Sequence, residues 1–226
     1  MSLPIQLELD PKAGFLVRLG WIKAEPIQVR QSDDALEQEI QALCSKLLQE
    51  YVGKSPAEIP GLASARELYR SFGVDPTRTR PSSEALLRRV LKGKPYPKIS
   101  NAVDFCNLCS LRFLLPLGLY DVDQIQGKVT LRRGRPGESY PGIRKDEVHV
   151  KGRMVLADEL GPFGNPSSDS FRTAVTEDTR SIWMVIFAPK SFSEQRLRHY
   201  VDFAKEGAQK YLAPKENQTQ VVARME

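Results

Sequence analysis

The chain has 226 residues, enough for one large domain or two small ones around a sizeable core. Its 41% hydrophobic and 27% charged residues are ordinary for a soluble globular protein, and no apolar run approaches the ~20 residues that span a bilayer, so no membrane partner is expected. Thirty-three basic against twenty-eight acidic side chains leave a net charge of +5, compatible with a polyanionic partner without establishing one.

The amino-terminal MSLPIQLELD lacks a basic region followed by an apolar core, so no secretory signal is read and a cytoplasmic location is expected. Residues 5–9 and 14–19, IQLEL and GFLVRL, read as two short strands joined by an Asp-Pro turn, with Trp21 and Ile22 continuing the second. Ser32 is placed to cap a helix whose first turn holds Asp33 and Asp34, where the helix dipole favours acids. Leu36, Ile40, Leu43 and Leu47 fall on one face of that helix and Gly53 ends it. A second helix is expected over 62–72, with Leu68, Tyr69 and Phe72 in the core. After the loop GVDPTRTRPSS, Ser82, Ser83 and Glu84 open the helix ALLRRVLKG. Arg78, Arg80, Arg88, Arg89, Lys92, Lys94 and Lys98 make 78–98 the densest basic stretch, either a solvated helix face or a contact for phosphate backbones.

Residues 103–115 form an apolar, helix-like run stopped at Pro116, after which Gly118 and a Tyr-Asp turn lead into a strand. Asp104, Asn107 and Ser110 recur at every third position and share one face. Buried unpaired polar groups cost roughly 1–3 kcal/mol each, so these three either knit the core together or look into a pocket. From 128 to 187, VTLRR, EVHVKGRMVLADE and SIWMVIFAP read as strands. Between them GPFGNPSSDSFRTAVTEDTR is a long polar loop, of a length that is often functional. Ser193 caps a last helix anchored by Leu197, Tyr200, Val201 and Phe203, and the polar tail from Pro214 is expected to fray. With no repeat and no linker, the expected architecture is a single α+β domain with a mixed or antiparallel sheet, flanking helices and an N-terminal strand pair.

No Ser-His-Asp arrangement, Walker loop or GxGxxG is present, and GRPG at 134–137 reads as a turn. Three cysteines argue against a disulfide scaffold. Cys106 and Cys109 form a CxxC, but only Cys44, His149 and His199 remain as further soft ligands, so buried helix cysteines are expected, with no metal and no cofactor. What remains is the polar face of the central helix together with the 161–180 loop. There Asp169, Arg172, Thr173, Thr176, Asp178, Thr179 and Arg180 either build a site for an amino or carboxyl group or pin the loop by their own ion pairs and turns.

The run NAVDFCNLCSLRFLLPLGLYDVDQI resembles the helix–turn–strand segment of the B3/B4 editing domain of the phenylalanine–tRNA ligase β subunit, whose pattern has the form VVDVTNYV…QPMHAFDLD. Val103, Asp104, Asn107, Pro116, Tyr120, Asp121 and Asp123 fit that pattern in order. MVLADE and TEDTRSIWMVIFAP are similar to the family's LVIAD and DET-x-N-V segments, and RSFGVDPTRTRPSSEALLRRVLKGK is similar to the extension on free-standing versions of the domain. The resemblance implies a B3/B4-like core over 61–205, an N-terminal extension over 1–60, and a helix end and tail over 206–226.

In that family the domain removes wrong amino acids, typically tyrosine, from charged tRNA. The resemblance therefore implies a protein that binds mischarged aminoacyl-tRNA and hydrolyses its ester, without a core for aminoacylation. The alternatives are a non-catalytic tRNA- or RNA-binding module and a binding protein for a small amino-acid-like ligand. Cys106 stands where the family has its pocket threonine, Gly118 where it has its pocket histidine, and Val185 where a glutamate recognises the tyrosine hydroxyl. A site that loses its hydroxyl partners loses that preference, so mischarged tyrosine on phenylalanine tRNA is not expected as the main substrate. The catalytic candidates are Asn107 and Arg172 to orient the ester, Asp169 to fix it or hold the amino group, and Thr173 to position water. Asp104, Cys106, Ser110, Gly118 and Val185 are the substrate-binding candidates, and Arg78, Arg80, Arg88, Arg89, Lys92 and Lys94 the tRNA-binding ones.

Overall fold

The computed structural model describes residues 5–31, 33–143 and 146–222. Strand β1 (Leu7–Leu9) runs into a short helix, α1 (Pro11–Gly14), which Asp10 caps by accepting from the N–H groups of Lys12 and Ala13 at 3.0 and 3.1 Å. The Asp-Pro step is thus a helix start, where proline needs no N–H partner, rather than a turn between paired strands. Strand β2 (Val17–Glu25) follows, then helix α2 (Asp34–Tyr51). Ser32 lies outside the described residues; Asp33 caps α2, accepting from Leu36 N–H at 3.0 Å.

Helices α3 (Pro60–Ser71), α4 (Ser82–Leu91) and α5 (Asn101–Phe113) come next. Ser100 caps α5, and Leu114 ends it in the left-handed region at φ 54°. Strand β3 (Leu117–Asp121) begins at once, so Gly118, Tyr120 and Asp121 belong to the strand and not to a turn. There follow β4 (Val129–Arg133), β5 (Ser139–Pro141), β6 (Glu147–His149), β7 (Met154–Asp158), β8 (Gly161–Asn165) and the two-residue β9 (Ser168–Asp169). The expected 161–180 loop therefore opens with a hairpin, and only its second half is irregular. Strand β10 (Ile182–Pro189), helix α6 (Glu194–Tyr211) and strand β11 (Glu216–Val222) complete the order.

Strand β1 pairs in parallel with β4, not with β2, and heads a sheet ordered β1-β4-β7-β8-β9. The second sheet, β11-β2-β10-β3, is antiparallel throughout. The tail from Pro214 is its edge: Glu216 opposes Glu25 and Val222 opposes Leu19. Its polar sequence suits an edge with exposed side chains, where backbone hydrogen bonds do the holding.

Strand β10 is buried on both faces, which is why it reads as a continuous apolar run instead of an alternating one. Ile182, Met184 and Ile186 meet Phe105 of α5 and Leu197 and Val201 of α6. Trp183, Val185 and Phe187 meet Leu131, Leu156 and Phe163 of the five-stranded sheet. Each such side chain contributes roughly 1.5–3 kcal/mol on burial, so this strand is the seam of the fold. A third cluster, including Leu47, Leu62, Leu87 and Leu111, joins α2, α3, α4 and α5.

Candidate functional site

A cleft of about 530 Å³ lies on the helix side of the antiparallel sheet, at its β3 edge. Helix α5 supplies Val103, Cys106, Asn107 and Ser110, and β3 supplies Leu117 and Leu119. The β8–β9 turn adds Ser167, Ser168 and Asp169; Ala174 and Val175 follow, and α4 contributes Ser82, Ala85, Leu86 and Arg89 at the rim.

The α5 contribution follows from helix geometry. At about 100° per residue, positions 103, 106, 107 and 110 fall within roughly 100° of arc. Asp104 sits about 120° from Ser110 and leaves the cleft, because steps of three fall short of a full turn. Its carboxylate instead accepts from Ile99 N–H at 3.1 and 3.3 Å. Burial pushes that carboxyl up to about 6, with Glu37 adding to the rise against the pull of the Ile99 N–H. Ser110 donates to the carbonyl of Leu115 at 2.9 Å, closing the end of α5. The Asn107 carboxamide, half-buried on the cleft wall, makes no hydrogen bond to a described residue.

Asp169 is held at the cleft floor by accepting from Leu119 N–H at 3.2 Å. Burial, and then the Asp169 carboxylate, raise the Cys106 thiol, so Cys106 stays protonated at neutral pH and is no nucleophile. Below the floor, Asn165 accepts from the N–H groups of Ser167 and Ser168 at 2.7 and 3.1 Å and donates to Tyr140 Oη at 2.7 Å. Tyr69 Oη and Ser167 Oγ lie 2.6 Å apart, which ties the same turn to α3. The turn presenting Ser167, Ser168 and Asp169 is therefore fixed from behind.

The remaining candidates are dispersed. Gly118 opposes Val185 across the sheet, and both face the second core, away from the cleft. No space is left there: a Cβ on Gly118 would lie 2.1 Å from Tyr120 Oη, and one on Gly164 would lie 2.3 Å from it. Arg172 grips Asp158 with both terminal nitrogens at 2.9 Å and donates to the carbonyl of Gln124 at 2.7 Å, outside the cleft lining. Thr173 is fully buried with its hydroxyl 3.3 Å from that of Ser170, also off the cleft.

The basic stretch divides in two. Glu84, its side chain closed to solvent, collects Arg66, Arg80 and Arg88 within 4.0 Å, so Arg80 and Arg88 are largely committed. Arg78 is exposed and only 4.0 Å from Asp75. Arg89 is anchored through Nε to the carbonyl of Pro95 at 2.6 Å yet stays exposed on the cleft rim. Lys92 and Lys94 are exposed beyond it with no ion pair among the described residues. No group of His, Cys, Asp or Glu able to hold a metal occurs among the described residues, and no helix there is long and apolar enough to cross a membrane.

Leu117, Leu119 and Val175 were not singled out from sequence, whereas the resemblance placed the family's glycine-rich pocket turn near Asn165–Ser168, where Ser167 and Ser168 line the cleft. The alternation of leucine with Gly118 and Tyr120 in LGLYD would have divided the two faces of β3, since strand side chains alternate.

Residues 64–209 match the family model described as the B3/4 domain. The phenylalanine–tRNA ligase beta subunit of Cupriavidus pinatubonensis is 26% identical over 221 residues, covering 91% of this chain and 26% of that subunit. The corresponding subunit of Ralstonia nicotianae is 33% identical over 93 residues, 38% of this chain and 11% of the relative. Among solved structures, an N-terminal fragment of the phenylalanyl-tRNA synthetase beta-subunit from Pyrococcus horikoshii aligns with a TM-score of 0.44 and 14% identity, over 91% of this chain and 49% of that one. The chain thus spans 26% or less of the length of these curated relatives. Since the family model takes in well over half of its residues, the chain belongs to the B3/4 domain family and is related to the beta subunit of phenylalanine–tRNA ligase.

Proposed function

We propose that the cleft receives the aminoacyl end of a charged tRNA and that the protein hydrolyses the ester. The observation that carries this reading is the presence in one cleft of the unengaged Asn107 carboxamide on its wall and the Asp169 carboxylate at its floor, with Arg89 on the rim. Every aminoacyl ester has an ammonium group for a carboxylate to hold and a carbonyl oxygen that gains charge as water adds. An amide N–H aimed at that oxygen is worth about 10²–10³ in rate. The volume of about 530 Å³ lies in the range of small-molecule sites and suits an amino acid with part of its terminal nucleoside. Arg89, Lys92 and Lys94 extend the site as a track for phosphates.

In this reading Asn107 orients the carbonyl and Asp169 the amino group. Arg172 and Thr173 act only by holding the loop, Arg172 through Asp158 and Thr173 through Ser170. The test is deacylation of a panel of charged and mischarged tRNAs by the purified protein, by Asn107→Ala and by Arg172→Ala. Cleavage that falls about 10²-fold or more in Asn107→Ala and survives in folded Arg172→Ala supports the reading. Salt-sensitive tRNA binding with no cleavage across the panel would replace it with a binding module.

A further inference from the structure

Resting on the reading of the cleft as an aminoacyl site, we infer that the amino acid it takes carries an uncharged side chain without hydrogen-bonding groups, of the leucine, methionine or phenylalanine class. Leu117 and Leu119 of β3, Val103 and Cys106 of α5, and Val175 line the cleft together with Asn107 and give it apolar walls. The polar groups among these apolar side chains are few. Ser110 has given its proton to the Leu115 carbonyl, and Cys106 keeps its own, so neither matches a strong acceptor on a substrate side chain.

Charge excludes the remaining classes. Among the described lining residues Asp169 is the one acid and Arg89 the one base, and Arg89 stands on the exposed rim. The α-ammonium carried by every aminoacyl ester takes the carboxylate. A lysine-type side chain would bring a second cation into an apolar chamber with no second anion, and an acidic one would sit beside Asp169. Against Val103, Leu117, Leu119 and Val175 a polar side chain would give up its water without a partner, whereas an apolar one gains from the same transfer.

The measurement compares near-isosteric pairs on one tRNA body: leucine with asparagine, methionine with glutamine, phenylalanine with tyrosine. Deacylation is followed for each, and binding is measured for 3′-amide-linked aminoacyl-adenosines, which cannot be hydrolysed. The apolar member of each pair is expected to lead by roughly 10²-fold, the limit for an apolar pocket that meets an added hydroxyl. Val175→Asn, at a half-buried wall position, is expected to narrow the gap.

Equal or reversed preference in cleavage overturns the inference while leaving the hydrolase intact. Apolar preference among the bound amides without any cleavage keeps the inference and removes the hydrolase. Amides that fail to bind, alongside esters that are not cleaved, overturn both.

Discussion

Glu84 takes Arg66 in a two-point grip, accepting from Nε at 2.7 Å and Nη2 at 2.9 Å with its side chain closed to solvent. Burial works against the carboxylate, but the hydrogen bonds and charges of Arg66 and then Arg88 outweigh it and hold the carboxyl below its ordinary value. A depressed carboxyl stabilises the fold above its unfolded pKa, and that contribution is lost as pH falls through the lower folded one. Glu84→Gln should cost about 3 kcal/mol at neutral pH, because it strands a partly buried guanidinium. The drop should appear in the urea midpoint and shrink in acid, where the wild-type group protonates too.

Asp104 has the opposite sign. Its carboxyl is raised to about 6 by burial, so from about pH 4 to 6 the folded chain holds a proton that the unfolded chain has released. Its effect is a decline in stability as pH rises through that window, with the penalty retained above it. Asp104→Asn keeps an acceptor for the Ile99 N–H and should flatten the decline. Melting temperature against pH, in wild type and variant, measures it.

In the proposed function Arg89, Lys92 and Lys94, exposed and without an ion pair among the described residues, meet phosphates, whereas Arg88 serves Glu84. Replacing the three by glutamine should weaken tRNA binding and reduce the salt slope by about 0.7 for each single-strand phosphate left without its cation. Arg88→Gln should lower stability and leave the slope nearly unchanged. Binding isotherms at several salt concentrations distinguish the two.

Gly118 and Gly164 both press on the Tyr120 hydroxyl, which is buried and edge-on to Phe163 at 5.1 Å between ring centroids. Alanine at either position should cost about 1–3 kcal/mol, since the ring has no room to yield. The loss would show in thermal unfolding and, for Gly118→Ala, would not be recovered by any cleft ligand that leaves the opposite sheet face untouched.

Much of this was legible in the residues. The helix carrying Asn107 and the apolar β10 announce themselves by period and composition, and the ordered matches around Val103, Asn107 and Tyr120 pointed to the B3/B4 domain. The direction of individual side chains did not follow. Arg172 resembled a ligand clamp because its partner, Asp158, lies across a hairpin whose pairing no local pattern reveals. Gly118 and Val185 were grouped with Asn107, although sheet alternation turns them to the other side. Strand β11 was missed because a polar edge strand carries no apolar signal and is held mainly by the ladder it joins.

The double-sided burial of β10 makes register an all-or-nothing matter. A slip of one residue would turn Trp183, Val185 and Phe187 toward the helices and Ile182, Met184 and Ile186 toward the other sheet, exchanging bulky and slender side chains in both layers at once. The wall of the cleft that β3 provides is keyed to the same alignment. Insertions or deletions within 182–189 should therefore abolish folding outright.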